Sequence, residues 1–172
     1  MPSATQLIKR DHKKAEDMFN KFEKIKKAEA KKRIADQACQ ELEIHAALEE
    51  EIFYPAVRKT LGEEDMLEEA KQEHQQAKEI ISEVKRMSAE DDHLEEKFAE
   101  LVECIQHHVE EEEGELLPKV EESDMDLVNI GEQMTERREE LMQQRQKTQR
   151  AQKKSTRKPK KAPRRRKSGR AA

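Results

Sequence analysis

Along its first 142 positions the chain repeats apolar residues at the three- and four-residue steps of amphipathic helices, in five successive stripes. The first stripe is Leu7, Ile8, Ala15, Met18, Phe19, Phe22 and Ile25. Ser3 and Gln6 ahead of it have capping-box spacing, which predicts a helix from there to about Ala28. The second stripe, Ile34, Ala38, Leu42, Leu48 and Ile52, predicts a helix from about Lys32 to Thr60, kinked by Pro55 and capped by Gly62. The third, Met66, Leu67, Ala70, Ala77, Ile81 and Val84, predicts a helix from Glu63 to Met87, with Glu63, Glu64 and Asp65 at its positive end. After a polar turn at Ser88 to Asp92, Leu94, Phe98, Leu101, Ile105 and Leu116 predict a fourth helix, Asp91 to Val120, with Pro118 near its end. A weaker fifth stripe, Leu127, Ile130, Met134, Leu141 and Met142, predicts a helix from Asp124 to about Gln146. Between the first two helices the signal is poor, because residues 26–33 (KKAEAKKR) hold neither Gly nor Pro. A turn near Ala28–Lys31 is expected because the chain must reverse; one long helix through the segment is the alternative. The fold class that follows is all-α: an up-down-up-down four-helix bundle with an additional C-terminal helix and a disordered basic tail.

Charge sharpens the division. Of the 172 residues 43% are charged, and the net charge of −4 conceals an asymmetry. Residues 143–172 hold 14 Lys and Arg and no acid, whereas residues 1–142 hold 21 Lys and Arg against all 39 acids. Residues 1–142 therefore read as an acidic domain and residues 143–172 as a basic tail. The tail clusters Lys153-Lys154, Lys158, Lys160-Lys161 and Arg164 to Lys167 are spaced by Pro159 and Pro163 and contain no aromatic residue. Any nucleic acid partner would be held through its phosphates, without sequence preference and with steep salt dependence. The competing reading is a solvated tail that folds back on the acidic body. Cys39 and Cys104 form neither a metal pattern nor a disulfide framework, which suits a reduced, cytoplasmic chain. No stretch has the length and apolarity of a membrane span, so no membrane partner is expected.

The chemistry lies in a repeat. His45 and Glu49, then His108 and Glu112, form two His-x3-Glu pairs 63 residues apart, and Pro55 and Pro118 follow at the same spacing. His12 and His74 are 62 apart. Four residues make about one helical turn, so each His and Glu project from one face. Each half reads as a helical hairpin with one His on its first helix and a His/Glu pair on its second. Measured from the turns, the heights of the two histidines in each half agree to about 3–5 Å, at 1.5 Å rise per residue, and those of His45 and His74 across Gly62 agree more loosely. All six side chains then fall in one layer of the bundle. A single His on an apolar face is ordinarily a packed core or boundary residue. Six groups at repeat-related positions, two of them carboxylates, need a partner, and a metal ion provides it. Imidazole with carboxylate and no thiolate suits iron, manganese or zinc. Two carboxylates from opposite helices are placed to bridge two ions. The ferritin-like Glu-x-x-His pairing is absent, since Lys9, Leu42, Lys71 and Ile105 stand three residues before the histidines.

The order His, His-x3-Glu, His, His-x3-Glu, with Phe53-Tyr54-Pro55 and Leu116-Leu117-Pro118 after the glutamates, resembles the hemerythrin-like (HHE cation-binding) domain over about residues 4–142. Asp11-His12, His45, Glu49, Glu73-His74, His108 and Glu112 match its motif. The resemblance implies two non-haem irons, with His12, His45, His74 and His108 as terminal ligands and Glu49 and Glu112 as bridges. It also implies binding or sensing of iron or of a small ligand such as dioxygen, nitric oxide or peroxide. A peroxidase- or catalase-like enzyme, or one of iron–sulfur repair, is the alternative, weakened by the lack of a separate substrate domain. A basic-tailed protein tethered to nucleic acid is the third reading. Oxygen-carrying members have a further His where this chain has Lys78. His107 is the available spare, but it points about 100° from His108. Tyr54 is expected to pack near the end of the bundle, an approach to the centre being the alternative.

Overall fold

The structure, a computed structural model, describes residues 1–156, with side chains through Gln152. Its helices are α1 (Ala4–Lys24), α2 (Ala28–Leu48), α3 (Tyr54–Leu61), α4 (Glu64–Arg86), α5 (Leu94–Glu111), α6 (Leu117–Glu121) and α7 (Leu127–Thr156). No strand occurs among the described residues. None of the described helices is long and apolar enough to cross a membrane. The described residues divide into two units, 1–139 and those from 140 onward. In the first, α1 pairs with α2, α2 with α4, and α4 with α5, giving the expected four-helix bundle. Phe19, Phe22 and Phe98 fill its core beside Leu42, Ile81 and Leu101. The capping box forms as read: the Ser3 hydroxyl accepts from the Gln6 amide, and the Gln6 side chain accepts from the Ser3 amide.

Several predicted boundaries shift, the starts of the second and last helices among them, at Ala28 rather than Lys32 and at Leu127 rather than Asp124. The first turn occupies residues 25–27 rather than 28–31, because Ile25 turns extended (ψ 132°) while its amide still bonds the Lys21 carbonyl. The fourth helix begins at Leu94 rather than Asp91, since residues 88–93 form a turn in which the Asp91 side chain accepts from the His93 amide. The last helix runs to Thr156, not Gln146, so residues 147–156 of the expected disordered tail are helical. The clusters at Lys158, Lys160-Lys161 and Arg164 to Lys167 lie outside the described residues.

The two prolines do something more specific than kink a helix. Glu49–Phe53 and Glu112–Leu116 wind as single π-helical turns. The Tyr54 amide bonds the Glu49 carbonyl, five residues back, and the Leu117 amide bonds that of Glu112. A proline ring in a regular α-helix presses on the carbonyl four residues earlier. The wider turn relieves that pressure by absorbing one extra residue. Position i+5 then comes round to the face held by position i.

α7 crosses the N-terminus at Gly131, where an added Cβ would lie 2.4 Å from the Pro2 carbonyl oxygen. Backbone on both sides cannot yield cheaply. Gly131→Ala is therefore expected to destabilise the protein by about 1–3 kcal/mol, read from chemical denaturation, despite alanine's better helix propensity.

Candidate metal centre

The structure places His12 (α1), His45 (α2), Glu49 and Glu112 (the two π turns), His74 (α4) and His108 (α5) in one buried layer. None is more than 7% exposed, and Glu49 is 0% exposed. Each imidazole turns Nε2 inward. His45 Nε2 lies 3.2 Å from Glu49 Oε1, and His74 Nε2 lies 3.2 Å from Glu49 Oε2. His12 and His108 present Nε2 at 3.3 and 3.8 Å from Glu112 Oε2. The donor atoms of His12, His45, His108 and Glu112 lie within 4.8 Å of one another, as do those of Glu49, His74 and His108. Two donor clusters thus overlap at His108.

Each Nδ1 faces a carboxylate. His12 Nδ1 pairs with Glu113 at 2.7 Å, His74 Nδ1 with Glu50 at 3.0 Å, and His108 Nδ1 with Glu73 at 2.8 Å. His45 Nδ1 sits 3.5 Å from Asp11. An acceptor on Nδ1 keeps the ring proton there and leaves the Nε2 lone pair facing inward. These partners obey the repeat: Glu50 and Glu113 are 63 apart, and Asp11 and Glu73 are 62 apart. Glu50 and Glu113 escaped the sequence reading in a run of glutamates, although their spacing was there to be found. Asp11 is also paired with Arg138 of α7. Burial opposes the Asp11 charge, but His45 and Arg138 outweigh it and its carboxyl lies below the usual range. Lys78 stays out of the layer and bonds both Glu50 oxygens at 2.7 Å. The His74 contact, helped by Lys78 and opposed by burial, holds the Glu50 carboxyl down to about 2.

Tyr54 departs from expectation. Its hydroxyl reaches into the layer, 3.3 Å from Glu49 Oε2, 3.3 Å from Glu112 Oε1 and 3.5 Å from His74 Nε2. The π turn causes this, because Tyr54 is five residues beyond Glu49. Leu117 takes the matching position in the second half, so the phenol is where the repeat breaks. His107 is 64% exposed and lies outside the layer, as its direction implied.

Four inward atoms, His12 Nε2, His45 Nε2, Glu49 Oε1 and Glu112 Oε2, are buried without a hydrogen-bond partner. Leaving such an atom unsatisfied costs about 1–3 kcal/mol. Burial and the charge of Glu112 push the Glu49 carboxyl well above the carboxylate range. Burial also works against the Glu112 charge, but contact with His12 and the positive field of His108 hold that carboxyl down to about 2. For His12 burial is likewise outweighed, by Glu112, Glu49 and Glu113, and the imidazole rises to about 9. Burial carries His45 the other way, to about 4, over the opposing pull of Asp11. Without a cation the layer holds mismatched charges. Cations in the two donor clusters would give these atoms partners and offset the carboxylate charge, and the nitrogen-and-oxygen donor set suits a borderline or hard transition metal.

Known proteins agree with the geometry. The hemerythrin HHE cation-binding domain family matches residues 3–120. An uncharacterized hemerythrin-like protein of Schizosaccharomyces pombe is 31% identical over 123 residues, covering 70% of this chain and 61% of that protein. A DNA nickase of a Nostoc species is 25% identical over 131 residues, covering 76% of this chain and 35% of that enzyme. The chain thus spans less than two thirds of the length of either relative. The crystal structure of a hemerythrin HHE cation-binding domain-containing protein from Mycobacterium kansasii superposes with a TM-score of 0.71 at 24% identity, covering 82% of this chain and 88% of that one. That likeness is one of fold.

Proposed function

The chain belongs to the hemerythrin HHE cation-binding family, and from that premise we propose that it is a non-haem di-iron protein that binds or senses a small ligand such as dioxygen, nitric oxide or peroxide. The observation that carries this reading is the convergence of four buried atoms without a hydrogen-bond partner from two helices and two π turns. In it His12, His45, His74 and His108 would hold the metal as terminal ligands, with Glu49 and Glu112 as the shared carboxylates. Manganese or zinc suits the same atoms. Asp11, Glu50, Glu73 and Glu113 fix the rings from outside, which orients the donors and raises their basicity. Tyr54 offers one further oxygen. Burial and the two glutamates push its phenol above the ordinary range, so without a cation it keeps its proton and donates to them. Bound iron would supply one-electron redox chemistry and open coordination positions. The two free cysteines support a reducing, cytoplasmic setting.

A cavity of about 30 Å³ abuts all four histidines, walled by Ala15, Leu42, Ala77, Ile81, Ile105 and Val109. It has room for one small molecule, and its apolar wall favours a neutral diatomic over water. Ala77→Val places two methyl groups in this wall. The variant is expected to keep its metal while the ferrous protein's affinity for nitric oxide falls by about tenfold or more, measured by anaerobic optical titration. An unchanged affinity would remove the cavity from the account. The same ferrous protein mixed with peroxide separates binding from catalysis, since sustained turnover would replace a binding role with an enzymatic one.

A further inference from the structure

We propose that the face between α4 and α5 is a cation-entry funnel into the buried centre, with Glu73, His107 and Glu111 as an outer capture site for a divalent transition-metal ion. The proposal rests on the metal-centre reading above and adds a route to it. A second cavity, of about 90 Å³, is lined by Glu69, Glu73, Glu111 and Glu115 and reaches His108 and Glu112. The donor atoms of Glu73, His107 and Glu111 lie within 4.8 Å of one another. His107 Nε2 is 3.4 Å from Glu73 Oε1 and 3.3 Å from Glu111 Oε1. One imidazole between two carboxylates is a donor set for a transition metal rather than a generic acidic patch.

Three further observations give the site a direction. Glu112, among the residues lining the cavity, is 3% exposed, and its Oε2 lacks a hydrogen-bond partner. Glu73 belongs to both ends, with Oε1 toward His107 and Oε2 accepting from His108 Nδ1 at 2.8 Å. Among the described residues no Lys or Arg pairs with Glu69, Glu73, Glu111 or Glu115, whereas Glu41, Glu50 and Glu95 elsewhere on the bundle each pair with a lysine.

The internal repeat shows that the funnel is not a by-product of symmetry. The repeat preserves the His and Glu of the layer. Yet at the positions matching Glu69, His107, Glu111 and Glu115 the first half has Leu7, Ile44, Leu48 and Ile52. Leu7, Ile44 and Leu48 are buried, and α7 lies against that half through Arg137–Glu51 and Arg138–Asp11. One half is sealed and apolar; the other is open and acidic. The cavity beside the histidines is lined by both lysines and carboxylates, Lys14 and Lys78 with Asp11, Glu41 and Glu43, whereas the cavity at the α4–α5 face has carboxylates and no Lys or Arg in its lining. A mouth of one charge sign concentrates cations and accelerates their capture.

The test is the rate at which metal-free full-length protein takes up Co(II), followed optically by stopped flow at low ionic strength. Glu69→Gln/Glu111→Gln/Glu115→Gln is expected to slow uptake by about tenfold with the same final metal content, and to lose most of the wild-type salt dependence. His107→Ala slows uptake as well. A control with the same change in charge at exposed positions elsewhere, Glu29→Gln/Glu90→Gln/Glu122→Gln, keeps the wild-type rate. Uptake by the triple variant at the wild-type rate, equal slowing by the control, or a lowered final metal content in the triple variant overturns the funnel. Wild-type protein that takes up no Co(II) overturns the metal centre itself, a distinct result. All four altered side chains are at the surface, and circular dichroism confirms that each variant folds.

Discussion

Replacing His45 and His108 together by alanine is expected to abolish stoichiometric metal binding while helical content stays unchanged. His108 contributes to both donor clusters and His45 to one, so neither cluster keeps its full set of donors. Each ring is also the inner member of a carboxylate–imidazole pair, and removing it leaves Asp11 and Glu73 without the group they hold in place. Loss of the outer partner alone typically lowers metal affinity 10- to 100-fold, so losing two ligands should exceed about a hundredfold. Both positions lie within α-helices, where alanine is the best helix former. Metal analysis after dialysis, set beside far-ultraviolet circular dichroism, reads the two effects separately. Full retention of metal would contradict the ligand assignment. Glu113→Gln provides the graded comparison, since it keeps His12 but weakens the group that orients it.

The second large effect is on stability, and it has opposite signs in two states of the protein. Saturating metal is expected to raise the melting temperature well above that of the chelated protein. At a free metal concentration a hundred times Kd, linkage contributes about 2.7 kcal/mol. For a chain of this size that corresponds to an upward shift of about 5–10 °C. Glu49→Gln should remove most of the shift, because a neutral amide cannot bridge two cations. The metal-free variant, however, should melt no lower than metal-free wild type. Glu49 is fully buried, and its carboxylate form is disfavoured by that burial and by the neighbouring charge on Glu112. Gln keeps the shape without the charge, and its amide can donate toward His45 or His74. Calorimetry of both proteins, with metal and with chelator, gives the four melting temperatures needed. A full metal-induced shift in Glu49→Gln would contradict a bridging role.

The sequence made the centre legible because coordination chemistry imposes residue type and helical geometry imposes spacing. Six ligand-capable residues repeated at 62 and 63 positions survive any error in helix ends. What the pattern could not show depends on backbone detail. The KKAEAKKR segment has no residue that dictates where a helix must stop, so the first turn was placed about three residues late. Pro55 and Pro118 announced a disturbance without showing that it would be a π turn. Tyr54 was therefore left at the end of the bundle when its hydroxyl belongs in the layer. The last helix outran its apolar stripe because Gln, Lys, Arg and Ala between residues 143 and 152 sustain a helix by propensity, without a buried face to mark it. Glu50 and Glu113 were hidden by composition, since in a chain this acidic a carboxylate beside a carboxylate carries little signal.

The repeat that builds the centre also shows where the two halves differ. Tyr54 faces Leu117 across the repeat, and Lys78 neutralises Glu50 on one side only. His107 and its acidic neighbours replace buried aliphatic residues of the other half. These differences lie around the layer and leave its donors alone, consistent with one two-cluster centre whose access differs from side to side.

The central claim is tested most directly by metal analysis of full-length protein expressed in iron-replete medium, with an optical spectrum in air and after reduction. The account predicts about two irons per chain, as expected for a di-metal carboxylate bundle, and ferric absorption that bleaches on reduction. Protein that carries no metal, or a single zinc with a featureless spectrum, would contradict it.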